Sequence, residues 1–526
     1  MKMNKVILIT LLVAFLMASN AYAIKTTQKV IVPEDNETME NEYIRITKTE
    51  TDDVDPLVDL KVTVTIKEIR AFDKIDLFSD PDFYVKILVG DEELLSTVWE
   101  NQKTITEDWS RTVNVPDNKR YVLINIQLWD SNLGRDTLCD IASNDNGDTD
   151  RRDLWLNYSL ETGIWDGDDF RYWYYPTPGR LDYSGYGRGN GCDDNSIYEN
   201  DKDCEIWFDI STNDYDHDGI PYWAEVEYYG TDPEVNDTGR DDDEDGIPYE
   251  WEHKWGFNRY YDWHDDEWRI VSLFDPFEYE DQEMIDFDAD SINNLEEYLT
   301  SELDSDPFRK DVFVELDEMA EGPDGEIASI LPEGAKELMK KAFNRQNVVL
   351  HIDDGEWSKT GSEIIPFDNV GDNTTYEELF ELYNNSFLQG DEDNWKKGVF
   401  HYGLVVYNAT YPGFCFSSSS FQISAKGMEK KTRLPYPMAG NRDVVYASAY
   451  MHELGHTLGL NWLLGHFKEG YYPWQIGWWK SRPYKSIMNY GYMYGTIWNL
   501  VDYSDGSRGK NDYDDWSNID YYNFEF

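Results

Sequence analysis

Basic residues are scarce in this chain of 526 residues: 46 lysines and arginines stand against 105 aspartates and glutamates, a formal net charge of −59. A surface so acidic repels phosphates and anionic headgroups, so nucleic acid is not an expected partner and membrane docking is disfavoured. Histidine is rarer still, at 8 residues, so any pair at metal-binding spacing stands out. With 4 cysteines the chain is no disulfide-dense scaffold. Past the N-terminus it offers no run of roughly 18 apolar residues, which is what a spanning helix needs.

What is present argues for folded domains. Hydrophobic residues make up 40% and aromatics 15% of the chain, enough to bury cores despite the charge. The length suits two to four domains. Lys2 and Lys5 precede an apolar run from Val6 to Ala18, and Ala21-Tyr22-Ala23 follows as a small-residue cleavage site. Residues 1–23 therefore read as a secretory signal peptide, and the mature protein is expected to be soluble and secreted, with cell-surface association open. Residues 24–56 read as a polar, flexible lead-in in which no cysteine-switch propeptide is evident. Cys192 and Cys204 flank a short turn-rich loop and are the expected disulfide; Cys139 and Cys415 either pair or stay buried as thiols. Asn-x-Ser/Thr sites such as Asn236 and Asn408 permit glycosylation.

From Leu60 the pattern becomes β-like. Leu60–Ile66, Phe83–Val89 and Tyr121–Leu128 alternate apolar and polar residues between acidic, turn-forming loops, which predicts a β-sandwich. One loop carries Asp73, Asp76, Asp80 and Asp82, another Asp130, Asn132, Asp136 and Asp140. Two such loops at one end of a sandwich supply the several oxygens that calcium prefers. Over about residues 57–145 the motifs "SDPDFYVK" and "LWDSNLGRD" resemble the calcium loops of a C2 domain, with departures in spacing. That resemblance implies Asp73, Asp80, Asp130 and Asp136 as calcium ligands; the plain alternative is solvated loop acids. The whole of 57–210 is assigned to this C2-like sandwich and its extension.

Residues 211–307 hold a repeat. Asp214-x-Asp216-x-Asp218-Gly219-Ile220 has Glu225 at its twelfth position, and Asp241-x-Asp243-x-Asp245-Gly246-Ile247 has Glu252 there. A third copy is Asp286-x-Asp288-x-Asp290-Ser291-Ile292, with Asn294 ninth and Glu297 twelfth. This is EF-hand loop spacing: carboxylates at 1, 3 and 5, the carbonyl of 7 (Ile220, Ile247, Ile292) and a bidentate glutamate at 12 meet one calcium ion, while glycine at 6 makes the turn. In a chain with 105 acids and 36 glycines, one such match is expected about 0.06 times by accident. The block resembles the tandem calcium repeats of thrombospondin type 3 or dockerin-like spacers, which implies a stiffened connection between domains. A solvated acidic linker is the alternative.

Residues 308–526 alternate strand and helix, as in an α/β layer. Strands are expected at Asp311–Leu316, Val348–Ile352 and Gly403–Tyr407; helices are expected from Leu331, over 375–388, and from Ala447 to Leu460. The last contains "HELGHTLGL". His452 and His456, at i and i+4, face one way and bring two imidazoles to one zinc ion. Glu453 sits beside the metal without binding it and serves as the base for a water that zinc acidifies. A His-acid-x-x-His match is expected about 0.024 times by chance here. Two satisfied core histidines are the alternative.

"HELGHTLG" is similar to the zinc-binding stem of metzincin metalloproteases, and "KSIMNY" resembles their Met-turn. The resemblance covers about residues 310–526. It implies a zincin-like peptidase domain with Met488 beneath the metal, Tyr490 as zinc ligand or oxyanion stabiliser, and "VFHYGLVVYNATYPGFCFSS" as the strand lining the substrate cleft. The family's third ligand position is Trp462 here, which cannot bind zinc; His466 is the first candidate to replace it and Glu469 the second. The expected function is a secreted, calcium-stabilised zinc endopeptidase acting on protein or peptide substrates. The alternative is a non-catalytic adhesion protein with a degenerate zincin-like scaffold.

Overall fold

A computed structural model describes residues 58–76, 78–142, 151–168, 187–192, 202–262, 267–272, 274, 276–355, 364–368, 375–433, 441–460, 475–495 and 500–524. Residues 1–56, read above as signal peptide and lead-in, and the candidate positions Trp462, His466 and Glu469 lie outside these residues.

The first part of the chain forms two antiparallel sheets. Alternation drives both: β1 (Lys61–Ala71) buries Val62, Val64 and Ile66, and β2 (Phe83–Val89) buries Phe83, Val85, Ile87 and Val89. β3 (Glu92–Leu95) follows β2 as a hairpin; β4 (Thr104–Ile105), β5 (Trp109–Asn114), β6 (Tyr121–Asp130), β7 (Thr137–Leu138), β8 (Leu154–Ser159), β9 (Trp165–Gly167), β10 (Gly187–Asn190) and β11 (Cys204–Ser211) complete the set. One sheet runs β10-β11-β1-β4 with β5 also on β1; the other runs β3-β2-β6-β8-β9 with β7 on β6. Their apolar faces meet in one core containing Val64, Ile87, Ile126, Leu156 and Phe208, the expected sandwich-like arrangement. β10 and β11 come from the 146–210 stretch that the sequence left as an extension, yet β11 pairs along most of β1.

The cysteine expectation needs correction. No Cys192–Cys204 disulfide is present, and the Cys204 thiol is hydrogen-bonded with Cys139. β10 and β11 pair Asn190 with Glu205, which carries Cys192 past Cys204, while the Cys139 segment runs alongside and Cys204 N donates to Asp140 O at 2.7 Å.

The repeat region consists of three loops, each followed by a short helix. The first loop leads into a turn at Tyr222–Ala224 that continues as a π-helical turn over Glu225–Tyr229. The second leads into α1 (Tyr249–Gly256), then the hairpin β12 (Phe257–Asp262) and β13 (Glu267–Ser272). The third leads into α2 (Asn294–Leu299), where Asn293 and Glu296 form a capping box.

Beyond it lies a mixed sheet in the order β15-β14-β17-β19-β18, built from β14 (Asp311–Met319), β15 (Val349–Asp353), β17 (Phe400–Val406), β18 (Gly413–Cys415) and β19 (Ser420–Ser424), with β16 (Ile364–Ile365) also on β14. All pairs are parallel except β18 with β19. β17 is buried along its whole length, as a parallel strand covered on both faces must be. Helices α3 (Glu333–Arg345) and α6 (Arg442–Thr457) cover one face. α4 (Thr375–Leu382) and the π turn Tyr383–Phe387 cover the other, and α5 (Ala425–Thr432) follows β19. α6 begins five residues before the sequence pattern suggests, at an N-cap where Asn441 accepts from Asp443 N. It ends at Thr457, three residues short of the expected Leu460, because Gly459, at φ +80°, turns the chain.

A buried ionic cluster joins sandwich and α/β sheet. Glu205 of β11 receives Arg70, Arg188 (Nη2 at 2.8 Å) and Asn344 Nδ2 (2.7 Å) of α3, and Arg70 Nε reaches Glu337 at 3.1 Å. Burial pushes the Glu205 carboxyl up, but Arg188 and Arg70 outweigh it and hold it below the usual range.

His401 on β17 illustrates the cost of a buried imidazole. It stacks on Phe524 at 4.6 Å, its Nδ1 makes no hydrogen bond, and burial lowers its pKa to about 3. The folded state keeps it neutral, whereas the unfolded chain protonates it near pH 6.5. Its contribution is therefore complete above that value and is lost as pH falls toward 3, at about 1.4 kcal/mol per unit. Between pH 7 and pH 5, wild type is expected to lose roughly 2 kcal/mol more stability than His401→Phe in denaturant titrations. Parallel pH dependences would show that His401 is not buried neutral.

Candidate metal centres

α6 is buried from Val444 to Gly455, while His456 in its last turn is half-buried. His452 is 1% and Glu453 8% exposed. The rings of His452 and His456 lie 4.9 Å apart, nearly perpendicular. His452 Nδ1 donates to Ile487 O at 2.8 Å and His456 Nδ1 donates to Leu460 O at 3.1 Å. A carbonyl can only accept, so Nδ1 carries the proton in both rings and the neutral tautomer places its lone pair on Nε2. Two such nitrogens on one helix face suit a zinc ion as far as the described residues go; the candidates for a third ligand lie outside them.

The turn that carries Ile487 also places Met488, which is wholly buried. A Cβ on Gly455 would come within 2.6 Å of Met488 Sδ, so glycine there lets the methionine lie against the helix. Ser486 Oγ accepts from Met488 N, and Asn489 Nδ2 donates to Ser481 O and Tyr484 O, fixing the turn from within. The Tyr490 ring stacks on His452, centroids 5.3 Å apart.

Glu453 faces β18, the edge strand. A Cβ on Gly413 would overlap Glu453 Oε1, so the backbone of the edge runs directly over the carboxyl. Burial alone pushes Glu453 up to about 8. Gly413 was not singled out from sequence, because nothing local marks its partner forty residues away. Gly413→Ala is expected to leave folding intact, since the carboxyl can swing aside. Any peptide hydrolysis at this site should fall by roughly tenfold to a hundredfold, because a misplaced base costs that much. Unchanged hydrolysis would separate Gly413 from the site.

The three loops of the repeat region share one geometry. The first aspartate of each accepts twice through its own loop: Asp214 from His217 N (2.7 Å) and Gly219 N (3.1 Å), Asp241 from Glu244 N (2.7 Å) and Gly246 N (3.1 Å), Asp286 from Ala289 N (2.7 Å) and Ser291 N (3.2 Å). Asp218, Asp245 and Asp290 each accept from the amide of the following isoleucine position, Ile220, Ile247 and Ile292. Oxygens of Asp214, Asp216 and Asp218 lie within 4.8 Å of one another, as do those of Asp241, Asp243 and Asp245 and those of Asp286, Asp288 and Asp290. These clusters can hold a metal ion.

Position six is left-handed in all three, at φ +94° for Gly219, +99° for Gly246 and +80° for Ser291. Ser291 bears that strain where its hydroxyl donates to Tyr521 O at 2.8 Å, tying the loop to the C-terminal segment. The position-twelve glutamates are buried: Glu225 0%, Glu252 1% and Glu297 1% exposed. Burial, then Asp218, push Glu225 up to about 7. Glu297 lies within 4.8 Å of Asp290 and also of Asp311, a residue the sequence reading used only as the start of a strand.

The sandwich loops differ. Asp73 accepts from the amides of Lys202 and Asp203, Asp130 from Asp82 N and Asn132 Nδ2, and Asp136 from Tyr84 Oη and Asn132 N, while Asp80 lies 3.9 Å from Lys103 Nζ. Among the described residues these four acids form no cluster of metal-holding dimensions. The loops end in Phe78 and Leu133, both fully exposed.

No family model and no curated protein matches the chain. Solved structures similar to part of it include C2 domains. A C2 domain structure is 13% identical over 29% of this chain and 98% of its own, at a TM-score of 0.17. A C2 domain protein from Ramazzottius varieornatus is 9% identical over 29% and 87%, at 0.18. Human GIVD cytosolic phospholipase A2 is 12% identical over 29% of this chain and only 16% of its own, at 0.17. Scores so low assign nothing to this chain beyond what its own sheets show. No helix among the described residues is long and apolar enough to cross a membrane.

Proposed function

We propose that the chain is a secreted, calcium-stabilised zinc endopeptidase. The observation that carries this is the arrangement on α6: two imidazoles held by backbone carbonyls in one tautomer, with a desolvated carboxylate between them and an edge strand. When bound, zinc supplies Lewis acidity toward a scissile carbonyl and a water. Glu453 takes the proton from that water and passes it to the leaving amine; a carboxyl raised by burial is suited to both steps. The ladder groups of β18 offer an extended peptide a strand to pair with, which would lay its backbone across Glu453. Ile487 O holds the His452 ring by its Nδ1, and Tyr490, stacked on that ring, is assigned the role of donor to the tetrahedral oxyanion.

Three calcium ions in the repeat loops are the proposed means of joining sandwich to catalytic sheet. Each replaces repulsion among clustered carboxylates with shared coordination. The C2-like sandwich serves as a spacer or adhesion module.

Trp462 in place of the usual third ligand favours a second reading, a secreted calcium-binding adhesion protein whose zincin-like scaffold has lost its metal. Zinc content separates the two. The purified full chain, exposed to micromolar zinc and dialysed, is expected to keep about one zinc per chain, and His456→Ala to keep almost none. A wild type without zinc would discard the enzyme reading.

A further inference from the structure

A short segment, residues 520–523, touches both kinds of candidate metal site. On one side it closes the helix that carries the two imidazoles. α6 stops at Thr457, and the last carbonyls of a helix have no partner within it. Asn523 Nδ2 donates to Thr457 O at 2.8 Å, and Asp520 N donates to Leu458 O at 3.0 Å. The same turn runs on to Leu460, whose amide donates to Gly455 O at 2.9 Å and whose carbonyl receives His456 Nδ1. A Cβ on Gly459 would come within 2.9 Å of Asp520 Cβ, so the segment lies directly on that turn.

On the other side it closes the third repeat loop. Tyr522 Oη donates at 2.8 Å to Oδ2 of Asp286, the first carboxylate of that loop, and Ser291 Oγ donates to Tyr521 O at 2.8 Å. Ser291 stands where the other two loops have Gly219 and Gly246, and its hydroxyl is what makes the second bond. Asp286 and Thr457 are thus joined through two consecutive residues, Tyr522 and Asn523. Tyr522 is 56% exposed, so its hydroxyl bond, more than burial, keeps it at the loop.

We propose that residues 520–523 form a strap that couples calcium in the third loop to zinc on α6. Asp520 and Asn523 are positioning residues: they fix the turn whose Leu460 carbonyl aims the His456 ring, without touching the metal. An ion that gathers the loop's carboxylates holds Asp286 and Ser291 where Tyr522 and Tyr521 meet them. An empty loop, with its carboxylates repelling one another, releases the strap and loosens the turn beneath His456. The inference rests on two readings, α6 as a zinc site and the third repeat as a calcium loop.

Zinc affinity of the full chain, measured in excess calcium by competition with a chromophoric chelator, tests it. Two variants break the chain of contacts at different links: Asp286→Asn weakens the calcium site, whereas Ser291→Gly with Tyr522→Phe removes both strap bonds and keeps every loop carboxylate. Each is expected to weaken zinc binding by about fivefold to tenfold, and combining them should add little, because they interrupt one path. Asp214→Asn, in the first loop, should leave zinc affinity within about twofold. If the paired substitution does not fold, Tyr522→Phe alone is read in the same way. Zinc affinity unchanged in the strap variant, losses that simply add, or an equal loss in Asp214→Asn would overturn the strap and leave both metal readings standing. A wild type that holds no zinc would overturn the zinc reading and the strap together. One whose native mass spectrum shows no calcium would do the same for the calcium reading.

Discussion

Glu453→Gln is expected to reduce peptide hydrolysis by a factor on the order of 10⁴ while leaving zinc content and thermal stability near wild type. The side chain does one thing the amide cannot, which is to accept and return a proton. It is not a metal ligand in the proposed site, so His452 and His456 should keep zinc in the variant. Its surroundings do not need its charge either. Glu453 is 8% exposed, burial alone raises its pKa, and the glycine above it leaves room for an amide of the same shape. The variant therefore separates chemistry from structure. Hydrolysis and zinc lost together would mean that the carboxylate organises the helix, and unchanged hydrolysis would remove it from the mechanism.

Calcium removal is expected to have the largest effect on stability. An ion held at a hundred times its dissociation constant adds about 2.7 kcal/mol, so three loops add about 8 kcal/mol. For a cooperative unit of roughly 200 residues that corresponds to a drop in Tm on the order of 20 °C on chelation. The physical reason lies in Asp216, whose two carboxylate oxygens make no hydrogen bond although neither is exposed, and in Asp288, Asp290 and Glu297, all raised by burial first. Such groups tolerate the folded state only if something offsets them. Scanning calorimetry with and without a calcium-selective chelator measures this, and a shift under about 3 °C would reduce the loops to solvated linkers.

Much of this architecture is legible in the sequence because it is written locally. β2 was expected at Phe83–Val89 and occurs there, since alternation over seven residues has one solution on a half-buried sheet. The aspartate loops are equally local, each closed by its own first carboxylate. The histidine pair follows from helical periodicity alone. What was not legible depends on distant partners. β11 takes its place only through β1, and Cys204 finds Cys139 because a separate segment runs beside it. Glu205 is a further case: its two arginines arrive from β1 and β10 and its asparagine from α3. Asp311 opens a strand that is buried throughout its first seven residues, but the carboxylates it meets, Asp290 and Glu297, come from the repeat region and no local pattern announces them. The C2-like acids show the reverse, a pattern present in sequence whose members the fold occupies with backbone amides and local side chains.

The central claim is that α6 carries a zinc-dependent peptidase site, and cleavage of an unfolded protein by the full chain tests it most directly. The assay is run in excess calcium, with and without a zinc-selective chelator that spares calcium. Cleavage that the chelator abolishes and added zinc restores is the predicted result. A folded, calcium-loaded, zinc-supplied chain that cleaves nothing, or one whose cleavage ignores the chelator, would contradict it.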